Sequence, residues 1–201
     1  MRAKLVLALG LIVVLAGCSG KVRGNPDPAS STPAAASPSA DVPAGVPKVA
    51  HPIDTARFEK EPCAALTAGQ LAQLRITTAP KPDAGNKLGP GCEWNAYDEI
   101  GLTVGAALLT AGSSLATLYK QNEQGDWKLF KPVADVAGYP GVLLDELDAQ
   151  PKGNCGLSVA VRDNLIYSLS VTISSGSKDY GNPCPVAQKA AELAVSTMKA
   201  G

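Results

Sequence analysis

Histidine is nearly absent from this chain: His51 stands alone among 201 residues. It lies in a proline-rich stretch outside any expected folded segment, so Ser-His-Asp, Cys-His and histidine-based metal chemistry have no base or ligand to use. No Cys-x-x-Cys motif is present, which argues against thioredoxin-like exchange. No Gly-x-Gly-x-x-Gly or Walker loop offers backbone amides to a phosphate. Neither sign of charge is in excess, with 18 basic and 18 acidic residues, and no basic patch marks a nucleic-acid partner. Aromatics are scarce, at 4% of the chain. The one long apolar run, Leu5 to Leu15, falls short of the roughly 20 residues that a membrane-spanning helix needs.

That run follows Arg2 and Lys4 and precedes Leu15-Ala16-Gly17-Cys18. A charged start, a short apolar stretch and small residues before a cleavage point make a signal peptide over residues 1–17. The last four residues resemble the bacterial lipobox, in which the thiol accepts a diacylglyceryl group. Cys18 is therefore the expected lipidation site, and two acyl chains suffice for stable anchoring at the outer face of a cell membrane. Without residues 1–17 the 18 basic residues become 16 against 18 acidic ones, a formal charge of −2.

Residues 19–53 hold seven prolines with much Ala and Ser. Such a composition buries too little apolar surface to offset ordering entropy. It reads as a disordered tether over 18–53, averaging about 30–35 Å end to end as a coil, with His51 a solvated member of it.

The other cysteines, Cys63, Cys92, Cys155 and Cys184, are an even number in a compartment that permits disulfides. They are too widely spaced for a zinc site. Three connectivities are open. The spacing hints at Cys63–Cys92 and Cys155–Cys184, each closing a loop worth roughly 3–4 kcal/mol in the chain-entropy model.

Residues 54–201 have the length of one domain. Thr67 suits an N-cap, and Ala64, Ala65, Leu71 and Leu74 recur at helical spacing, which predicts a helix over about 62–75. The Gly/Pro-rich stretch Lys81–Gly91 reads as a loop. Strands follow at Cys92–Ala96 and Leu102–Leu109, then a helix capped by Ser113 or Ser114. Further strands are expected at Trp127–Val133 and Val142–Leu147, with Gly138-Tyr139-Pro140-Gly141 as the turn between them. Two more, Cys155–Val161 and Leu165–Ile173, flank a hairpin at Arg162-Asp163-Asn164. Pro185 opens a closing amphipathic helix through Val186, Ala190, Leu193, Ala194 and Met198. Hairpin-linked strands with separate helices argue an α+β fold, an antiparallel sheet with helices mainly on one face. Pro62-Cys63 and Pro183-Cys184 fall at helix starts, so each disulfide would pin a helix start to a strand.

Pro62-Cys63-Ala64-Ala65-Leu66-Thr67, Gly91-Cys92-Glu93-Trp94, Cys155-Gly156-Leu157-Ser158-Val159 and Asn182-Pro183-Cys184, behind a lipobox and a Pro/Ala/Ser linker, resemble the DUF3558 family of actinobacterial lipoproteins. The resemblance covers about 58–198 and implies fold and location more than activity. The pattern is also similar to the extracellular sensor domain of certain mycobacterial receptor kinases, which implies sequential cysteine pairing. Unlike those receptors this chain carries no kinase, so signalling through a membrane would need a partner.

Few residues suggest chemistry. Ser175–Lys178 and Ser196–Lys199 match Ser-x-x-Lys, but Ser-Asp-Asn and Lys-Thr-Gly are missing. Asp145, Glu146 and Asp148 cluster without the pattern of a calcium loop. No enzyme activity, metal or cofactor is expected. Among Trp94, Trp127, Tyr139 and Tyr167, the residues Trp127 and Tyr139 are the candidates to line a ligand cleft. The expected function is a tethered binding or sensing module for a small molecule or cell-wall fragment. Its alternative is a structural or protein-interaction subunit at the cell envelope, whose mark would be an exposed apolar patch.

Overall fold

The computed structural model describes residues 42–201. The expected signal peptide, Cys18 and most of the expected tether lie outside them. The fold is α+β. Seven antiparallel strands form one sheet in the order β1-β2-β3-β7-β6-β5-β4. They are β1 (Lys81–Asp83), β2 (Gly91–Ala96), β3 (Leu102–Leu108), β4 (Leu129–Val136), β5 (Tyr139–Asp145), β6 (Asn154–Arg162) and β7 (Leu165–Ile173). The helices are α1 (Ala56–Lys60), α2 (Ala68–Gln73), α3 (Tyr97–Ile100), α4 (Leu115–Gln124) and α5 (Cys184–Ala200). Two meanders, β1 to β3 and β4 to β7, therefore meet at the central β3–β7 pair. The crossover that joins them carries α4. Among the described residues no helix is long and apolar enough to cross a membrane.

The core lies between one sheet face and α5. Strand partners in register share a face, so Trp94, Val104, Val171 and Cys155 point the same way. Trp94, Val104 and Leu157 are fully buried there, as are Ala187, Ala190, Ala194 and Val195 of α5. The alanine stripe lets the helix approach the sheet closely. Both disulfides stand on this face, Cys63–Cys92 and Cys155–Cys184. Each joins a strand to the first residues of a helical turn, as the Pro-Cys pairs indicated.

Four local expectations change. The helix placed over 62–75 is two pieces, a 3-10 turn at Pro62–Ala65 and then α2. Leu66 is extended between them because Thr67 caps α2 itself: its hydroxyl accepts from the Gln70 N–H at 3.4 Å while Gln70 Oε1 accepts from the Thr67 N–H at 2.8 Å. Thr67→Ala is expected to cost about 1 kcal/mol of stability, measurable by urea unfolding. The loop at 81–91 contains the edge strand β1, whose three residues pair with Glu93, Cys92 and Gly91. The turn at 138–141 is shorter than expected. Tyr139 already pairs with Val136, so Ala137 and Gly138, both at positive φ, make the reversal.

The fourth change concerns the domain boundary at 54. Val49 and Ile53, assigned to the tether, are buried. The Ile53 N–H donates to the Val161 carbonyl at 3.0 Å, and the Val49 N–H to Asp163 Oδ1 at 2.9 Å. Two apolar side chains and two backbone bonds suffice to lay this segment along the end of β6 despite its prolines. The side chain of His51 remains exposed.

Candidate functional site

The second face of the sheet is unlike the first. One row across five strands reads Glu93, Gly105, Ser170, Gly156, Leu144. It ends on Phe130 of β4. Tyr119 of α4 meets Phe130 edge-on with ring centroids 5.0 Å apart, so the crossover helix covers that end. The middle of the row has no side chain larger than serine. Neighbouring rows are also small or polar, with Ala107, Ser168 and Ser158 on one side and Thr103, Thr172 and Asn154 on the other.

The result is a trough beside α4. One part, about 230 Å³, is floored by Gly105, Ala107, Ser168 and Ser170. The other, about 360 Å³, is floored by Ser170, Thr172, Asn154 and Gly156. Ser170 belongs to both, so the two parts adjoin at its side chain. Packing does not demand glycine at 105: a Cβ there would meet only Ser170 Oγ, at an ordinary 3.5 Å. The space above it is free.

Backbone bonds shape both rims. At the first, Gly89 has φ +152, and a Cβ would lie 1.9 Å from the Leu108 carbonyl oxygen. Only glycine lets the loop after β1 press against β3. The Ala111 N–H then donates to the Leu88 carbonyl at 3.1 Å, and the Leu108 N–H to that of Pro90 at 3.0 Å. At the second, Asp145 folds the loop after β5 by accepting from the Leu147 and Ala149 N–H groups, both at 2.8 Å. Each loop leaves a leucine in solvent, Leu88 at 54% exposure and Leu147 at 83%.

Charge in the trough has one sign. Asp83 and Glu93 line one part, Asp145 and Glu146 the other, and no Lys or Arg lines either; Lys81 pairs with Glu93 on β1, just outside the first part. The hydroxyls are partly engaged, Ser158 donating to Ser168 Oγ at 3.2 Å and Thr172 to Asn154 Oδ1 at 3.0 Å. Ser170 stands exposed at the centre.

The two aromatic candidates separate. Trp127 is half-buried and lines the trough, and its indole N–H has no hydrogen-bond partner. Tyr139 is buried on the α5 face, where its hydroxyl donates to the His51 carbonyl at 2.6 Å and Lys199 Nζ stands 5.7 Å from its ring centre. It borders a separate depression with His51 and Met198. Trp94 and Tyr167 are core residues, and burial pushes the Tyr167 hydroxyl pKa above its ordinary value. In the acidic cluster, Asp145 spends both oxygens on its own loop. Among the described residues no group of three His, Cys, Asp or Glu is placed to hold a metal. The second Ser-x-x-Lys match is divided, with Ser196 donating to the Glu192 carbonyl and Lys199 to that of Ala137.

Sequence reasoning missed Gly105, Gly156, Ser168 and Ser170. Their signal was the alternation in β7, where Ser168, Ser170 and Thr172 interleave with Leu169, Val171 and Ile173. That pattern marks a polar outer face, but the trough appears only when β3 and β6 bring glycines opposite Ser170.

Comparison with known proteins returned no match among curated proteins and none among solved structures. The profile of a protein family of unknown function, DUF3558, matches residues 13–197. The match spans the cysteine framework and every strand that floors the trough, and the chain belongs to the DUF3558 family.

Proposed function

We propose that this chain is a surface lipoprotein, held to the outer face of a membrane by lipid on Cys18, whose domain binds a ligand in the trough. The observation that carries the reading is the floor, where Gly105, Ser170 and Gly156 stand in register on a sheet face that α4 covers only in part. Binding sites are concavities with a few convergent polar groups, and this one combines hydroxyls, an amide and carboxylates with one tryptophan. Of the exposed large apolar residues, Leu88 and Leu147 line the two parts of the trough, while Val42 and Tyr97 lie on other segments. That favours a concavity over an apolar docking face as the recognition surface. The two disulfides suit an extracytoplasmic location.

A thermal-shift screen of the full chain against cell-wall fragments, sugars, lipids and divalent ions tests the reading. A ligand of the folded state raises the melting temperature with concentration, by RT ln(1 + [L]/Kd) in stability. At least one class is expected to do so, and Gly105→Leu, which fills the floor, is expected to abolish the shift while leaving the unliganded melt in place. A shift that survives Gly105→Leu would move the ligand elsewhere on the protein.

A further inference from the structure

We infer that the trough accepts an uncharged, extended saccharide. This rests on the binding reading above and names its ligand class. Three observations converge on it. First, the trough carries carboxylates at both parts and no basic side chain. Its row from Glu93 to Leu144 crosses five strands, about 19 Å at the usual strand spacing. Every point along it thus lies within roughly one Debye length of an acidic group at physiological salt. Phosphates, sulfates and uronic acids are repelled over most of the floor, and Lys81, paired with Glu93 on β1, offsets this only at its outer end.

Second, those carboxylates are poorly placed to hold a cation. Asp145 accepts two backbone N–H groups and Asp83 Oδ1 accepts the Gly85 N–H at 3.1 Å, so these oxygens are already engaged and turned toward their own loops. Glu93 meets only the Asn95 amide, at a long 3.4 Å. It keeps acceptor capacity of the kind that a ligand hydroxyl uses. Third, the remaining polar groups are neutral. Ser168 and Ser170 offer hydroxyls and Asn86 its amide nitrogen, Thr172 and Asn154 are bonded to each other, and Trp127 offers a half-buried ring at one flank. A sugar presents the matching surface, hydroxyls at its edge and C–H groups on its face for an aromatic ring. The length of the floor suits an oligosaccharide rather than a single ring.

The test is calorimetric titration of the full chain in a detergent without a sugar headgroup. The probes are uncharged linear tetrasaccharides of glucose, galactose, mannose, arabinose and N-acetylglucosamine, with tetralysine and tripolyphosphate alongside. At least one tetrasaccharide is expected to bind. Trp127→Ala and Gly105→Leu should each weaken it at least 10-fold, and tripolyphosphate should not bind. Gly105→Leu removes a strand glycine and Trp127→Ala truncates a half-buried ring, so the two variants threaten folding differently, and either one that folds decides the site. Binding of tetralysine or tripolyphosphate alone, lost in Gly105→Leu, would overturn the saccharide class and leave the trough as the site. Saccharide binding unchanged in both variants would overturn the trough itself. No binding by any tetrasaccharide at millimolar concentration would overturn the saccharide class.

Discussion

Changing Cys155 and Cys184 together to alanine is expected to lower stability by roughly 3–4 kcal/mol. For a domain of this size that is a fall in melting temperature on the order of 10 °C. The bridge closes a 29-residue separation, and without it the unfolded chain regains the freedom of that loop. The paired change avoids leaving a lone thiol. In the native state the bridge ties the first turn of α5 to β6, and α5 supplies Ala187, Ala190, Ala191, Ala194, Val195 and Met198 to the core. Those contacts persist in the variant, so the helix should still dock and far-ultraviolet dichroism should change little. Denaturant unfolding measures the loss. A change below about 1 kcal/mol would mean that the reduced chain already holds these ends together, since loop entropy alone predicts several times that. Because the second bridge spans the same 29 residues, changing Cys63 with Cys92 should give a loss of the same size. A large inequality between the two would locate residual structure in one half of the unfolded chain.

The second large effect concerns attachment. Cells making the wild-type chain with a radiolabelled fatty acid are expected to yield a labelled protein, and Cys18→Ser to yield none. In the proposed attachment the lipid is a thioether on this one sulfur, and a hydroxyl does not replace it. The four other cysteines are paired with one another, so no free thiol of the described domain can take up label in its place. Each buried methylene adds about 0.8 kcal/mol of membrane affinity, which makes two acyl chains a firm anchor and a single chain a marginal one. Label retained in Cys18→Ser, or missing from the wild type, would refute lipidation at this site.

Much of the fold was legible because its signals are local. The bounds of β7 match Leu165–Ile173 to the residue, since alternation and the expected turn define its ends, although Arg162 belongs to β6 and the turn is Asp163-Asn164 alone. Ser114 caps α4 through the Thr117 N–H at 3.1 Å, and Thr67 caps α2. What stayed hidden depends on partners distant in sequence. β1 contains Pro82 and has no strand character of its own; β2 makes it one. Val49 and Ile53 looked like tether because their burial is supplied by β6, more than a hundred residues on. Tyr139 read as a turn residue from its Gly-Tyr-Pro-Gly context, whereas the His51 carbonyl and α5 hold it in the core. The trough is the extreme case. It needs the exact register of β3 on β7 and of β6 on β7, and a shift of one residue would turn Leu169 or Val171 into it.

The two disulfides do not interleave: Cys63 and Cys92 close before Cys155 begins. A chain that emerges across a membrane from its N-terminus presents its thiols in that same order. The first pair can be oxidised when only two of the four are exposed to the oxidant, and the second pair then has no wrong partner left. Of the three pairings that four cysteines allow, this is the one that vectorial export favours without reshuffling. The nested or crossed alternatives would each hold Cys63 open until the second half of the domain had arrived.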